Sequence, residues 1–124
     1  MKLLMTAIVI LAIASPIAAQ QHQTFHTKAG DLNAYCMSND PGDIKFCTGY
    51  ITGWMDQIQI PHSMPNGDVV HNYFADGVTP EQTSRIFIKY IADHPECENK
   101  AAYVCLVGAS LAAKILLIEP FTKP

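Results

Sequence analysis

Cys36-Met-Ser-Asn-Asp40-Pro41-Gly-Asp43-Ile44-Lys-Phe-Cys47-Thr-Gly-Tyr50-Ile51-Thr-Gly53-Trp54 reads as the end of one helix, a tight turn and the start of a longer helix, with a cysteine on each arm. Asp40-Pro41 is a helix opening, because an Asp carboxylate can accept from free first-turn N–H groups and Pro tolerates the first helical position. Beyond it, Ile44, Cys47, Ile51, Trp54, Met55 and Ile58 recur at spacings of three and four, which places them on one helical face. A Cys36–Cys47 bridge would pin the two arms. The rest of the chain is read as what packs on that hairpin.

Working outward, Asp31 to Ser38 is expected to be the short first helix, with Leu32, Tyr35 and Cys36 on its apolar side. The second runs from Asp40 or Pro41 to about Ile60, where Pro61 stops it. Its Gly49 and Gly53 leave a smooth strip beside Tyr50 that would admit a close neighbouring helix, and Tyr50 and Trp54 are expected in the core. From Pro61 to Gly77 stretches a loop of about seventeen residues, long enough on loop-length statistics to suggest function. Pro65-Asn66-Gly67-Asp68 marks a turn within it, and Val69-Val70 is a brief strand candidate.

Thr79-Pro80-Glu81-Gln82 opens a third helix, with Thr79 as cap and Gln82 where a capping box takes Glu or Gln. It carries Ile86, Phe87, Tyr90 and Ile91 and ends before Pro95; Arg85 and Lys89 form a solvated face. A fourth helix, from Glu98 or Asn99 to about Leu117, has almost no polar side and is expected to be buried on most sides. Gly108 lets another helix come close, and residues 119–124 form a surface tail. The fold class is therefore all-α, a small disulfide-stapled bundle of about four main helices.

The N-terminus has the physics of a secretory signal. Lys2 precedes an uncharged apolar run from Leu3 to Ala14, and Ile17-Ala18-Ala19 offers small residues for cleavage before Gln20. The run falls short of the roughly 20 residues a bilayer span needs, and Pro16 interrupts it. Residues 1–19 are read as signal peptide, 20–30 as a polar mature tail and 31–118 as the helical domain. Of the eight Lys and Arg, Lys2 leaves with the signal, and seven then face eleven Asp and Glu. That mild acidity argues against nucleic acid and against anionic membrane surfaces as partners.

All four cysteines lie in the exported part, where an even count signals disulfides. Three pairings are possible, and local pairing, Cys36–Cys47 and Cys97–Cys105, is preferred. The first closes a short loop, worth about 2–3 kcal/mol on the chain-entropy estimate. The second cannot span continuous helix, since eight residues would separate the sulfurs by about 12 Å. Cys97 must therefore lie ahead of the last helix, in a segment folded back over its first turns.

Chemistry is hard to find. No His-Glu-x-x-His, Gly-x-Ser-x-Gly, phosphate-cradling loop or dinucleotide fingerprint occurs. His22 and His26, four apart, lack further metal ligands, and His62 and His71 have no carboxylate or cysteine in register. No catalytic residue, metal or cofactor is assigned, and a non-enzyme is expected.

One pattern spans nearly the whole mature chain. Leu32-x3-Cys36-x10-Cys47-x2-Tyr50-Ile51-x-Gly53 is followed by Asp76-Gly77-Val78-Thr79-x2-Gln82, then Tyr90-Ile91-x2-His94-Pro95-Glu96 and an Ala-rich last helix. This resembles the Rap/Tai family of periplasmic immunity proteins, which protect bacteria from type VI secretion peptidoglycan amidases. Family members carry a cysteine and a proline just ahead of Asp-Gly-Val-Thr and end the last helix in Phe-Pro-Cys. Here Tyr73 and Ala75 stand in the first two places and the Ile115-Leu116-Leu117 region in the last, while Cys97 and Cys105 appear instead. Such a paired loss is what a relocated second disulfide looks like.

The resemblance implies a small helical domain, often a homodimer, that binds an effector enzyme and blocks its active-site cleft with a protruding loop. Projected onto this chain, the contacts are His62, Met64, Asn66, Asp68 and His71 in the Pro61–Tyr73 loop, with Asp68 approaching a catalytic histidine of the amidase. Tyr50, Gly53, Trp54, Thr79, Gln82 and Gly108 take structural roles. The alternative is a periplasmic housekeeping or acid-stress protein of the same fold, chaperone-like, which would expose apolar surface at low pH.

Overall fold

The computed structural model describes residues 26–120; the expected signal, the cleavage point at Gln20 and His22 lie outside them. The element order is α1 (Ala29–Met37), α2 (Pro41–Ile58), β1 (His62–Ser63), β2 (Val69–Phe74), α3 (Pro80–Asp93), α4 (Ala102–Ala112) and β3 (Leu116–Pro120). A 3-10 turn over Pro95–Cys97 joins α3 to the approach of α4.

The hairpin of α1 and α2 forms as its residues dictate. Asp40 Oδ1 accepts from the N–H groups of Gly42 (2.7 Å) and Asp43 (3.2 Å), and Pro41 occupies the first turn. Ser38 donates its hydroxyl to Asp43 Oδ2 at 2.7 Å and accepts from the Asp40 N–H at 3.0 Å, closing the turn from both sides. Cys36 and Cys47 are bonded with their Cα atoms 5.1 Å apart. On α2, Cys47, Ile51, Trp54 and Met55 are buried, but Ile44 is 45% exposed. It sits in the first turn, beyond the reach of the core. The helix stops at Ile58 rather than Ile60, because the residue before Pro61 is driven out of helical geometry.

The core combines Leu32 of α1, the α2 face, Phe87 and Ile91 of α3, and Ala102, Cys105 and Leu106 of α4. Thr79 caps α3 as its sequence implies, accepting from the Gln82 N–H at 3.1 Å. Thr83, buried one turn on, returns its hydroxyl to the Thr79 carbonyl at 3.0 Å. The glycines divide. A Cβ on Gly49 or Gly53 would meet nothing within 4 Å, so the expected helix approach at that strip does not occur. A Cβ on Gly108 would lie 2.8 Å from the Tyr90 hydroxyl, so there the missing side chain admits α3.

The N-terminus of α1 has no side-chain cap. Its Ala29 and Gly30 amides donate instead to the carbonyls of Lys100 (2.8 Å) and Glu98 (2.9 Å), in the segment that leads into α4. Ala102 N–H answers with a 2.7 Å bond to the Thr27 carbonyl. Cys97 and Cys105 are bonded across the same place, Cys97 ahead of the helix in the 3-10 turn as the reach argument requires. This junction also delays α4, which starts at Ala102 rather than Glu98 or Asn99.

The all-α expectation is corrected. An antiparallel sheet in the order β1-β2-β3 accompanies the helices, with Tyr73 opposite Leu117 and Phe74 opposite Leu116. Its third strand consumes the expected end of α4 and part of the expected tail. The reason is at Lys114, which adopts φ +57°. Lys114 N–H donates to the Leu111 carbonyl and Ile115 N–H to the Ser110 carbonyl, each at 3.0 Å. Those two bonds are a Schellman stop, a position glycine usually fills. With lysine there, the sequence carries no stop signal and the apolar run Ile115–Ile118 continues a helical reading. A second correction concerns burial. The side of α4 bearing Tyr103, Val104 and Leu111 is exposed, at 45%, 45% and 40%.

Candidate functional site

The long Pro61–Gly77 segment is a β-hairpin rather than an irregular loop. β1 and β2 pair through His62 with Val70 and Ser63 with Val69. Between them the tip is tied by its own residues. Met64 N–H donates to the Asp68 carbonyl (2.7 Å), and Gly67 N–H to the Met64 carbonyl (2.9 Å). Asn66 spans the turn with both ends of its amide, donating to Asp68 Oδ2 (2.7 Å) and accepting from Asp68 N–H (3.1 Å). Gly67 sits at φ +87°, where a side chain would strain the turn. Residues 61–68 are all exposed, so an ordered tip projects from the body.

The base of the hairpin is anchored on two sides. Phe74 meets Trp54 of α2 edge-on at 5.6 Å between ring centroids, while Leu116, its partner on β3, is buried. On the opposite face, Tyr73 donates its hydroxyl to Glu119 at 2.7 Å. That bond is the main cause holding the Tyr73 hydroxyl above the usual tyrosine pKa. Strand alternation then separates the residues singled out from the sequence. Met64, Asn66 and Asp68 cluster at the tip. His62, paired with Val70, faces the helices with Asn72; His71 faces away, beside Tyr73 and opposite Glu119. The two histidines do not meet.

Where the hairpin leans over α2 and α4 there is a cleft of about 540 Å³. Tyr50, Trp54, Gln57 and Ile58 of α2 form one wall, Tyr103 and Val107 of α4 another, with His26, His62 and Asn72 at the edges. Burial, and secondarily the neighbouring Tyr103, keep the Tyr50 hydroxyl above its ordinary pKa. Sequence reading passes over this cleft, although Tyr103 is a signal, being the lone aromatic of α4. Among the described residues no group of three or more His, Cys, Asp or Glu side chains is placed to hold a metal ion.

The described residues thus form a disulfide-clasped helical body from which an exposed, hydrogen-bonded hairpin tip projects. A family model described as Rap1a immunity proteins matches residues 28–114. The chain belongs to that family. The matched span runs from the residue before α1 to the lysine that ends α4, so it holds the four helices, β1 and β2 and leaves β3 outside. Neither the curated proteins nor the solved structures yield a match. Membership of the Rap1a immunity proteins confirms the resemblance carried by Cys36, Cys47, Tyr50, Ile51 and Gly53. It makes the partner of this Rap1a immunity protein a protein effector.

Proposed function

We propose that this protein is a periplasmic, non-enzymatic immunity protein that neutralises a type VI secretion peptidoglycan amidase by placing its hairpin tip in the effector's active-site cleft. One observation carries the reading: the Met64–Asp68 tip is both exposed and fixed by four hydrogen bonds, so little ordering entropy remains to be lost on binding. Met64, 47% exposed, offers an adaptable apolar contact, and Asp68 a carboxylate that can accept from a catalytic histidine. His62 and His71 flank the contact. Residues 1–19 would direct export, and the oxidising compartment would close both disulfides. In a two-copy assembly, Val104 and Leu111 on α4 are the apolar residues a twin would cover.

The test is inhibition of peptidoglycan hydrolysis by an amidase effector encoded beside this protein, with affinity measured by calorimetry. A Met64→Ala/Asp68→Ala variant is expected to bind at least tenfold more weakly with its circular dichroism unchanged, while Lys89→Ala on α3 binds normally. Full inhibition by the tip variant would refute insertion of the hairpin.

A further inference from the structure

We propose that the cleft between α2, α4 and β2 is a binding site for a neutral pyranose sugar, with an N-acetylated hexosamine as the best-fitting unit. The volume, about 540 Å³, accommodates one or two sugar rings. No Asp, Glu, Lys or Arg lines it, which leaves an ammonium ligand without a counter-charge and an anion with only His26 and His62 at the edges. Its walls combine the rings of Tyr50 and the 45% exposed Tyr103 with the aliphatic Ile58 and Val107, while Trp54, only 7% exposed, lines it from the core. Ring faces of this kind stack on the C–H face of a pyranose, and an aliphatic corner receives an acetyl methyl.

The polar groups decide against an all-carbon occupant. Within the described residues no hydrogen bond engages the side-chain polar atoms of Tyr50, Trp54, Gln57, Asn72 or Tyr103. An aliphatic anchor seated among them would leave those donors and acceptors unpaired, a loss that outweighs the contact. Gln57 and Asn72 each offer a donor and an acceptor, matching hydroxyls, which need both. Asn72 is held on β2 and Gln57 on α2, so two amides meet a ligand from different elements. The site takes His62 and Asn72 from the hairpin strands and none of the tip, so it is independent of whether the tip blocks an enzyme.

Trp54 is the only tryptophan of the chain, so its fluorescence and its single indole N–H resonance come from one residue that lines this cleft. The protein by itself, with no effector present, is titrated with N-acetylglucosamine trimer, maltotriose and N-acetyltyrosinamide. Expected is a saturable change with N-acetylglucosamine trimer, a dissociation constant on the order of 1 mM, weakened about tenfold in Asn72→Ala and in Tyr103→Ala. Maltotriose should bind more weakly. No response to either sugar up to tens of millimolar, or a response undiminished from that of the unsubstituted protein in both variants with folded spectra, overturns the proposal. A response to N-acetyltyrosinamide alone also overturns it, giving the cleft to an aromatic side chain of a partner protein.

Discussion

Replacing Lys114 by glycine is expected to stabilise the protein. Lys114 holds φ +57° at the end of α4, where its Cβ crowds the backbone, a conformation costing roughly 1–2 kcal/mol for an L-residue. Glycine removes that cost but adds about 0.5–1 kcal/mol of unfolded-chain entropy. The difference is a gain of about 0.5–1 kcal/mol, or roughly 2–5 °C in melting temperature for a domain of this size. Lys114→Ala keeps the Cβ and should leave stability near its starting value, whereas Lys114→Val should lower it, since branching worsens the same crowding. Urea unfolding at constant slope, alongside calorimetry, separates the three variants. A glycine variant no more stable than the alanine variant would refute the account of why α4 ends where it does. The account of β3 would fall with it, because the turn at Lys114 is what sends Leu116–Pro120 back along β2.

Three further outcomes are expected. Replacing Cys36 and Cys47 together by serine reopens a loop of sequence separation 11, which should cost about 3 kcal/mol in urea unfolding; an unchanged midpoint would show that the turn alone holds the hairpin. Ser110 is fully buried, and its hydroxyl has no hydrogen-bond partner among the described residues, so Ser110→Ala should raise stability by about 1 kcal/mol, and a loss of similar size would reveal a bond the structure does not contain. The Tyr73 hydroxyl, raised chiefly by its bond to Glu119, should ionise above the ordinary tyrosine range. Because the folded-state pKa is the higher one, this contact stabilises β2–β3 fully below the unfolded pKa and fades as pH climbs through the folded value. Ultraviolet titration of Glu119→Ala should return one tyrosine toward normal; an unaltered curve would remove the contact from the solution structure.

What could be read from the sequence followed how local its cause was. The α1–α2 hairpin, the α3 cap and both disulfides were legible because Asp40-Pro41, Thr79-Pro80 and the cysteine spacings act within a few residues of themselves. The sheet was not. Tyr73 and Glu119 are 46 residues apart, and the turn that brings them together hides behind a lysine. Tip residues Met64, Asn66 and Asp68 are visible through their turn chemistry, although the pairing of the strand behind them with β3 is not. As a whole the cleft leaves no mark on the sequence, since Gln57, Asn72 and Tyr103 come from separate elements and no motif joins them. Ile44 and the outer side of α4 misled in the same way: apolar character was plain, but which apolar residues find a neighbour is a property of the assembled body.

The amides that begin α1 have their acceptors on Lys100 and Glu98, deep in the second half of the chain. In a polypeptide delivered from its N-terminal end, those amides therefore stay with water until the later stretch arrives. Ala29 and Gly30 must wait for a stretch that emerges late, and docking the two seals the domain in a single closing event. Cys36 and Cys47, by contrast, can be oxidised as soon as both are delivered. Its first disulfide would thus close before the amides that open its first helix have met their acceptors.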